Sequence, residues 1–155
     1  VIRHIGFHVY RRVYPEIWEA LEDMFLSGEV VSVKEAYKEL ELQFSKDGPL
    51  LLWLKQYKSY FSNPTNNEAQ IVGQIYANRN FQNGVAEKNI LNGMPVADAF
   101  LVAKAKILYG TVVTREELKP NAAKIPNICQ EFDVNYIGEE DFQLILRERK
   151  QENTS

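Results

Sequence analysis

Cysteine is almost missing from this 155-residue sequence, where Cys129 stands alone. No disulfide can form within the chain, and a thiolate metal site would need more such ligands. This usage fits a reducing compartment, and a cytoplasmic location is expected. Cys129 lies among apolar neighbours such as Ile128 and Phe132 and reads as a small core residue. Histidine is scarce as well. His4 and His8 have helical spacing, but no helix is evident around them and no third ligand stands nearby, so a structural role is expected. Basic charge is not in excess, with 18 Lys and Arg against 21 Asp and Glu and a net charge of −3. Proteins that grip nucleic acid by charge alone are usually basic. Nucleic-acid contact is therefore expected to be local or assisted by metal ions, and the surplus of acid suits carboxylates gathered around divalent cations. Long apolar runs are lacking too. Leu50 to Leu54 is far shorter than the ~20 residues that cross a bilayer, so no membrane partner is expected. A basic start followed by an apolar stretch and small residues is not seen, so no secretory leader is expected within these residues.

What is present is a globular composition, 45% hydrophobic and 25% charged. One domain is expected over residues 1–150, with a polar tail over 151–155. Pro15 suits the first position of a helix carrying Ile17, Leu21, Met24 and Phe25 on one face, with Gly28 at its end. Val30 to Val33 reads as a short buried strand. Ser32 to Glu35 matches a capping box for the next helix, whose stripe is Val33, Tyr37, Leu40 and Phe44. Asp47-Gly48-Pro49 breaks it, and Leu50, Trp53, Leu54, Tyr57 and Phe61 form another stripe. Asn63-Pro64 resembles a cap, and Ile71, Val72 and Ile75 support a further helix. Asn78 to Gly93, rich in Asn and Gly, reads as a mobile loop. After Pro95 a helix is expected with Phe100, Leu101, Ala105 and Leu108 inward, ended by Gly110. Thr111 to Thr114 reads as a strand. Pro120 and Pro126 bracket a loop, a short helix carries Ile128 and Phe132, Val134 to Ile137 makes another strand, and Glu139 to Arg149 a final helix. Strands alternating with helices predict a parallel sheet covered by helices, with the helices between Gly48 and Asn78 as an added arm.

In open α/β sheets, function gathers beyond the carboxyl ends of the strands. Glu39 lies in the second turn after the first strand, beside the stripe of Val33, Tyr37 and Leu40. Asp98 lies in the first turn of a helix that must run back antiparallel to the Thr111–Thr114 strand. The start of that helix and the end of that strand then share one edge, where Thr114 and Glu116 sit. A helix of ~12 residues covers ~18 Å, which a short strand and a few loop positions can match. Carboxylates forced together repel, and a hard cation such as Mg²⁺ or Mn²⁺ removes that cost. The plainer alternative is that Asp98 only favours its helix terminus and Glu39 is a solvated residue.

The segment Pro95-Val96-Ala97-Asp98-Ala99-Phe100-Leu101-Val102-Ala103, followed by Tyr109-Gly110-Thr111-Val112-Val113-Thr114-Arg115-Glu116, resembles the second half of VapC-like PIN domains. Their pattern there is an Asp opening a helix, a Gly before a strand, then Val-Val-Thr and an acid two places on. Tyr14-Pro15, Ile17-Trp18, Val31 to Glu35, Glu39-Leu40 and Lys124 to Cys129 are similar in their turn, so the likeness spans nearly the whole chain. The resemblance implies a three-layer α/β PIN-like domain with a central parallel sheet. It implies a metal-dependent endoribonuclease, the toxin of a toxin–antitoxin pair, with Mg²⁺ or Mn²⁺ as cofactor. RNA would be its substrate and a cognate antitoxin its partner, with a homodimer as a further expectation. Carried over by position, Glu39, Asp98 and Glu116 would hold the metal, Thr114 would supply a hydroxyl beside it, and Glu117 would replace Glu116 if the loop shifts by one.

The family's first acid has no counterpart at the start. Aligning the apolar pair Val1-Ile2 puts Arg3 at the expected Asp, and no acid precedes Glu16. An Arg there could pair with Asp98 and stand in for the cation. The chain is then a natural inactive relative, or its start is altered or truncated, or the register differs and the site is completed otherwise. The corresponding alternative function is a non-catalytic module that binds an antitoxin or RNA. Arg11 and Arg12 read either as phosphate contacts or as solvated surface. Lys119 and Lys124 flank the loop after Glu116 and are candidates to meet an RNA backbone. Trp18 and Trp53 read as core residues.

Overall fold

The computed structural model describes residues 14–43, 48–82 and 97–152. Expectations that rest on Arg3, His4, His8, Arg11, Arg12, Phe44, Pro95, and on positions 83–93 and 153–155, lie outside them. Pro15 opens helix α1 (Pro15–Ser27), where its fixed φ suits the first turn and its missing N–H goes unneeded. Gly28 closes the helix with φ 77°, a left-handed geometry that costs glycine nothing, and its N–H donates to the Phe25 carbonyl at 3.2 Å. Ile17, Trp18, Leu21 and Phe25 are buried along one face, as the spacing predicts.

The next strand, β1 (Ser32–Val33), is shorter than Val30–Val33 because only two residues of β2 (Phe61–Ser62) pair with it. Helix α2 (Lys34–Gln43) starts directly after it. Ser32 and Val33 are used in strand pairing, and the capping box forms elsewhere. The Glu68 N–H donates to Thr65 Oγ1 at 3.2 Å and the Thr65 N–H to Glu68 Oε2 at 3.1 Å. This starts α4 (Asn66–Ala77) two residues later than Asn63-Pro64 suggests. Between them, α3 (Pro49–Gln56) stops short of Phe61, which a single helical stripe would have included. A 3₁₀ turn, Lys58–Tyr60, carries the chain into β2, where Phe61 pairs with Ser32.

Helix α5 (Ala97–Leu108) leads into β3 (Thr111–Thr114), then α6 (Ile125–Glu131), β4 (Asn135–Gly138) and α7 (Glu139–Glu152). Of the expected inward face of α5, Phe100 and Ala105 pack against the apolar core, and Leu108 is the correction: it is exposed, while Ala97, Ala99, Val102 and Ala103 are buried. Helix α5 packs against α2, α4, α6 and β3, and small side chains let those backbones approach. At its end Tyr109, not Gly110, takes the left-handed turn (φ 52°), and the Gly110 N–H donates back to the Ala105 carbonyl at 2.9 Å. Pro126 is not a loop bracket but lies in the first turn of α6.

Both strand pairs, β1–β2 and β3–β4, are parallel, which requires a crossover and makes the chain mixed α/β. Among the described residues they are two separate two-stranded pairs, so the single central sheet is seen only as these pairs. Strands β3 and β4 have apolar packing on both faces. Val112 and Tyr136 belong to a cluster with Val72, Ile75, Val102, Ile128 and Cys129. Val113 and Ile137 face the other cluster, with Trp18, Phe25, Trp53, Leu54 and Leu146. This alternation is the period of a strand, and helices cover both sides. The helices between Gly48 and Asn78 contribute to both clusters: Leu51, Trp53 and Leu54 to one, Val72 and Ile75 to the other. Trp18 and Trp53 meet edge to face at 5.5 Å, and Trp53 Nε1–H donates to Glu22 at 2.9 Å, which satisfies a buried indole. Among the described residues no helix is long and apolar enough to cross a membrane.

Candidate functional site

Three elements deliver the acids. Helix α2 follows β1 without a linker, so its second turn, with Glu39, lies close to the strand end. There Glu39 Oε1 accepts the Ala97 N–H at 2.9 Å, which fixes the start of α5 beside α2. Asp98 is the next residue. Glu116 follows two positions after the end of β3, and its N–H donates to Thr114 Oγ1 at 3.0 Å. Thr114 is buried, so its hydroxyl is a fixed post on which the turn carrying Glu116 is set.

The charges of the other two acids both reach Asp98. Burial pushes the Asp98 carboxyl up to about 6, and the negative charges of Glu116 and then Glu39 push it in the same direction. Lys124 works against them. Its ammonium stands 2.8 Å from Glu116 Oε1, while the Ile125 N–H donates to Glu116 Oε2 at 2.8 Å. Glu116 therefore has one oxygen on a cation and the other on the first turn of α6. The hydrogen bond to Glu116, followed by its charge, raises the Lys124 pKa. Arg115, beside Glu116, is committed elsewhere: its Nε pairs with Glu139 at 2.9 Å.

Two further residues join this group, neither of them a candidate site residue in the sequence. Tyr76, in the last turn of α4, has its hydroxyl pKa raised first by burial, then by Asp98, Glu35 and Glu39. Glu35 stands one helical turn before Glu39, and its buried Oε2 has no hydrogen-bond partner among the described residues. The spacing of Glu35 and Glu39 was a readable signal that both carboxylates share a face. Nothing in the sequence singles out Tyr76.

The sequence-predicted residues therefore divide. Glu39, Asp98 and Glu116 are brought into electrostatic contact, and Thr114 orients Glu116. Glu117 is exposed, and it is Glu116 whose charge reaches Asp98. Lys124 is an ion-pair partner of the acids, a tighter role than flanking them. Lys119 is exposed, with its carbonyl accepting from Asn127 Nδ2 at 2.7 Å. Cys129 is fully buried in the second cluster, and burial pushes its thiol up to about 12.

Residues 4–151 match the model of a family described as a domain of unknown function, DUF4411. The chain belongs to that family. No curated protein matches the chain, and no solved structure does. For this DUF4411 member, the donor chemistry suits a hard divalent cation. An acid whose proton affinity is raised by burial and then by two others, and a buried carboxylate oxygen without a partner among the described residues, are both relieved by positive charge. As the side chains stand, however, no three His, Cys, Asp or Glu groups among the described residues form a ligand set. Lys124 and two backbone N–H groups occupy oxygens that a metal would need. The position of Arg3, at which the resembled family would add an acid, lies outside the described residues.

Proposed function

We propose that this chain is a metal-dependent endoribonuclease with a three-layer PIN-like fold, acting in the cytoplasm as the toxin of a toxin–antitoxin pair. The observation that carries this reading is the raised proton affinity of Asp98, caused after burial by Glu116 and Glu39. Acids from α2, from α5 and from the turn after β3 share one patch, although they are far apart in sequence. The apolar packing on both faces of β3–β4 supports the three-layer architecture.

Glu39, Asp98 and Glu116 would hold Mg²⁺ or Mn²⁺, ions that favour oxygen ligands. When bound, such an ion lowers the pKa of a water and polarises a phosphodiester oxygen. The chain's own groups supply the setting. Thr114 fixes the turn of Glu116 through the 3.0 Å bond to its N–H. Glu39 sets the start of α5 through Ala97, and so positions Asp98. Lys124 keeps the acids together while their charge is otherwise unbalanced. The substrate class, the antitoxin partner and a homodimer follow from the resemblance to VapC-like PIN domains.

The test is cleavage of single-stranded RNA by the purified chain with Mn²⁺ present. Cleavage should stop with chelator and with Asp98→Asn. Cleavage indifferent to both counts against the reading. A second reading, a non-catalytic module that binds an antitoxin or RNA, is favoured by Lys124 already neutralising Glu116. It predicts RNA or antitoxin binding with no metal-dependent cleavage.

A further inference from the structure

Helix α2 presents a second charged surface beside the acids. Lys34, Lys38 and Glu41 follow one side of the helix at i, i+4 and i+7, next to the side that carries Glu35 and Glu39. Together with Lys58 and Asn63 they wall a groove of about 320 Å³ whose floor is Tyr37 and Phe61. The floor is rigid: both rings are buried and meet edge to face at 5.6 Å. Lys58 is held over it, its Nζ 5.3 Å from the centre of the Tyr37 ring, a cation–π geometry. Lys34, Lys38 and Lys58 are exposed, and among the described residues none of them is in an ion pair. Three ammonium groups without an ion pair among the described residues thus face one carboxylate, on a chain whose net charge is −3.

We propose that this groove holds the sugar–phosphate backbone of single-stranded RNA next to the acid patch, which deepens the nuclease reading and rests on it. Lys34 and Lys38 are about 6 Å apart along the helix axis, by the rise per residue, so they can meet successive phosphates of a stretched strand. The buried rings leave no free face on which a base can stack. The groove therefore holds backbone, without reading sequence. An acidic protein needs such a local cationic strip if a polyanion is to approach carboxylates on the neighbouring side of the same helix.

The experiment is fluorescence anisotropy of a labelled oligouridylate with the full chain, in chelator to prevent cleavage, over a series of KCl concentrations. The combined Lys34→Gln, Lys38→Gln and Lys58→Gln variant should bind about tenfold or more weakly. Its slope of log affinity against log salt should be shallower by about 2, since each phosphate contact on a single strand contributes roughly 0.7. Lys106→Gln, in the last turn of α5 and far along the helix from Asp98, should leave affinity and slope in place. Unchanged affinity and slope in the combined variant overturn the proposal. Displacement of the RNA by oligoglutamate as readily as by unlabelled RNA overturns it in favour of an acidic peptide. The same proteins are also melted with and without Mn²⁺. If none responds to the metal but RNA binding still needs the three lysines, the groove stands and the nuclease reading falls. If Mn²⁺ stabilises all of them and RNA binding ignores the lysines, the nuclease reading stands and the groove falls.

Discussion

Lys124 is paired with Glu116 at 2.8 Å, and the same ammonium also lowers the proton affinity of Asp98. One lysine thus balances two carboxylates that the nuclease reading assigns to a metal ion. A divalent cation entering the patch competes with it. Lys124→Met should therefore raise Mn²⁺ affinity about fivefold, given that partly exposed ion pairs are worth up to ~1 kcal/mol. Calorimetric titration of both proteins checks this. Equal or weaker binding in the variant means that Lys124 is not in competition with the metal.

Asp98 makes the metal-free chain sensitive to pH. Its carboxyl is raised in the fold from 3.8 to about 6, so the folded state holds the proton more tightly than the unfolded chain. Its contribution to stability is fully present below pH 4 and is lost as pH rises through about 6. Stability should fall by ~2–3 kcal/mol across that window from this group, allowing 1.36 kcal/mol per unit and some discount for partial exposure. Denaturant titrations of wild type and Asp98→Asn at several pH values measure it. The asparagine variant should lose that part of the pH dependence, and identical pH profiles would show that Asp98 has no raised affinity.

A buried ion pair joins α4 to α5: Lys104 Nζ stands 3.0 Å from Glu68 Oε1, and Glu68 also caps α4 through Thr65. Lys104→Met leaves a buried carboxylate without its cation and should cost about 3 kcal/mol. Adding Glu68→Gln should recover part of that loss, because the amide still reaches the Thr65 N–H and carries no charge. Urea unfolding of the single and double variants checks it, with additive losses as the contrary result.

Cys129 should not react with a thiol reagent in the folded chain. Its thiol is fully buried and pushed up to about 12, so almost no thiolate exists at neutral pH. Labelling should begin only when denaturant unfolds the protein. Rapid labelling without denaturant would mean that the second apolar cluster opens locally.

Much of this molecule is legible in one dimension. Pro15 and Gly28 bracket α1 because a proline start and a left-handed glycine end are local backbone properties. Thr111 to Thr114 is a strand as read, and Asp98 and Glu116 meet because a helix and the strand after it must share an edge. The misses have non-local causes. Phe61 follows a helical stripe but pairs with Ser32 in a parallel strand, a contact no window of sequence contains. On α5 the stripe holds at Phe100 and Ala105 and fails at Leu108, because partners surround the helix and small residues mark closeness more than large ones mark inwardness. In the sequence Lys124 is only a cation flanking the loop, and its pairing with Glu116 depends on how the 115–124 loop returns. The groove lysines converge only when α2 and the 3₁₀ turn are placed together.

In the proposed nuclease, Glu39, Asp98 and Glu116 act as one cation-binding unit. Isothermal titration of Mn²⁺ into the metal-free chain at pH 6, in two buffers of different ionisation heat, tests it most directly. Binding should saturate with proton release, since Asp98 is about half protonated there, and should be at least tenfold weaker in Asp98→Asn and in Glu116→Gln. Binding that both variants retain in full, or no binding by the wild type, contradicts it.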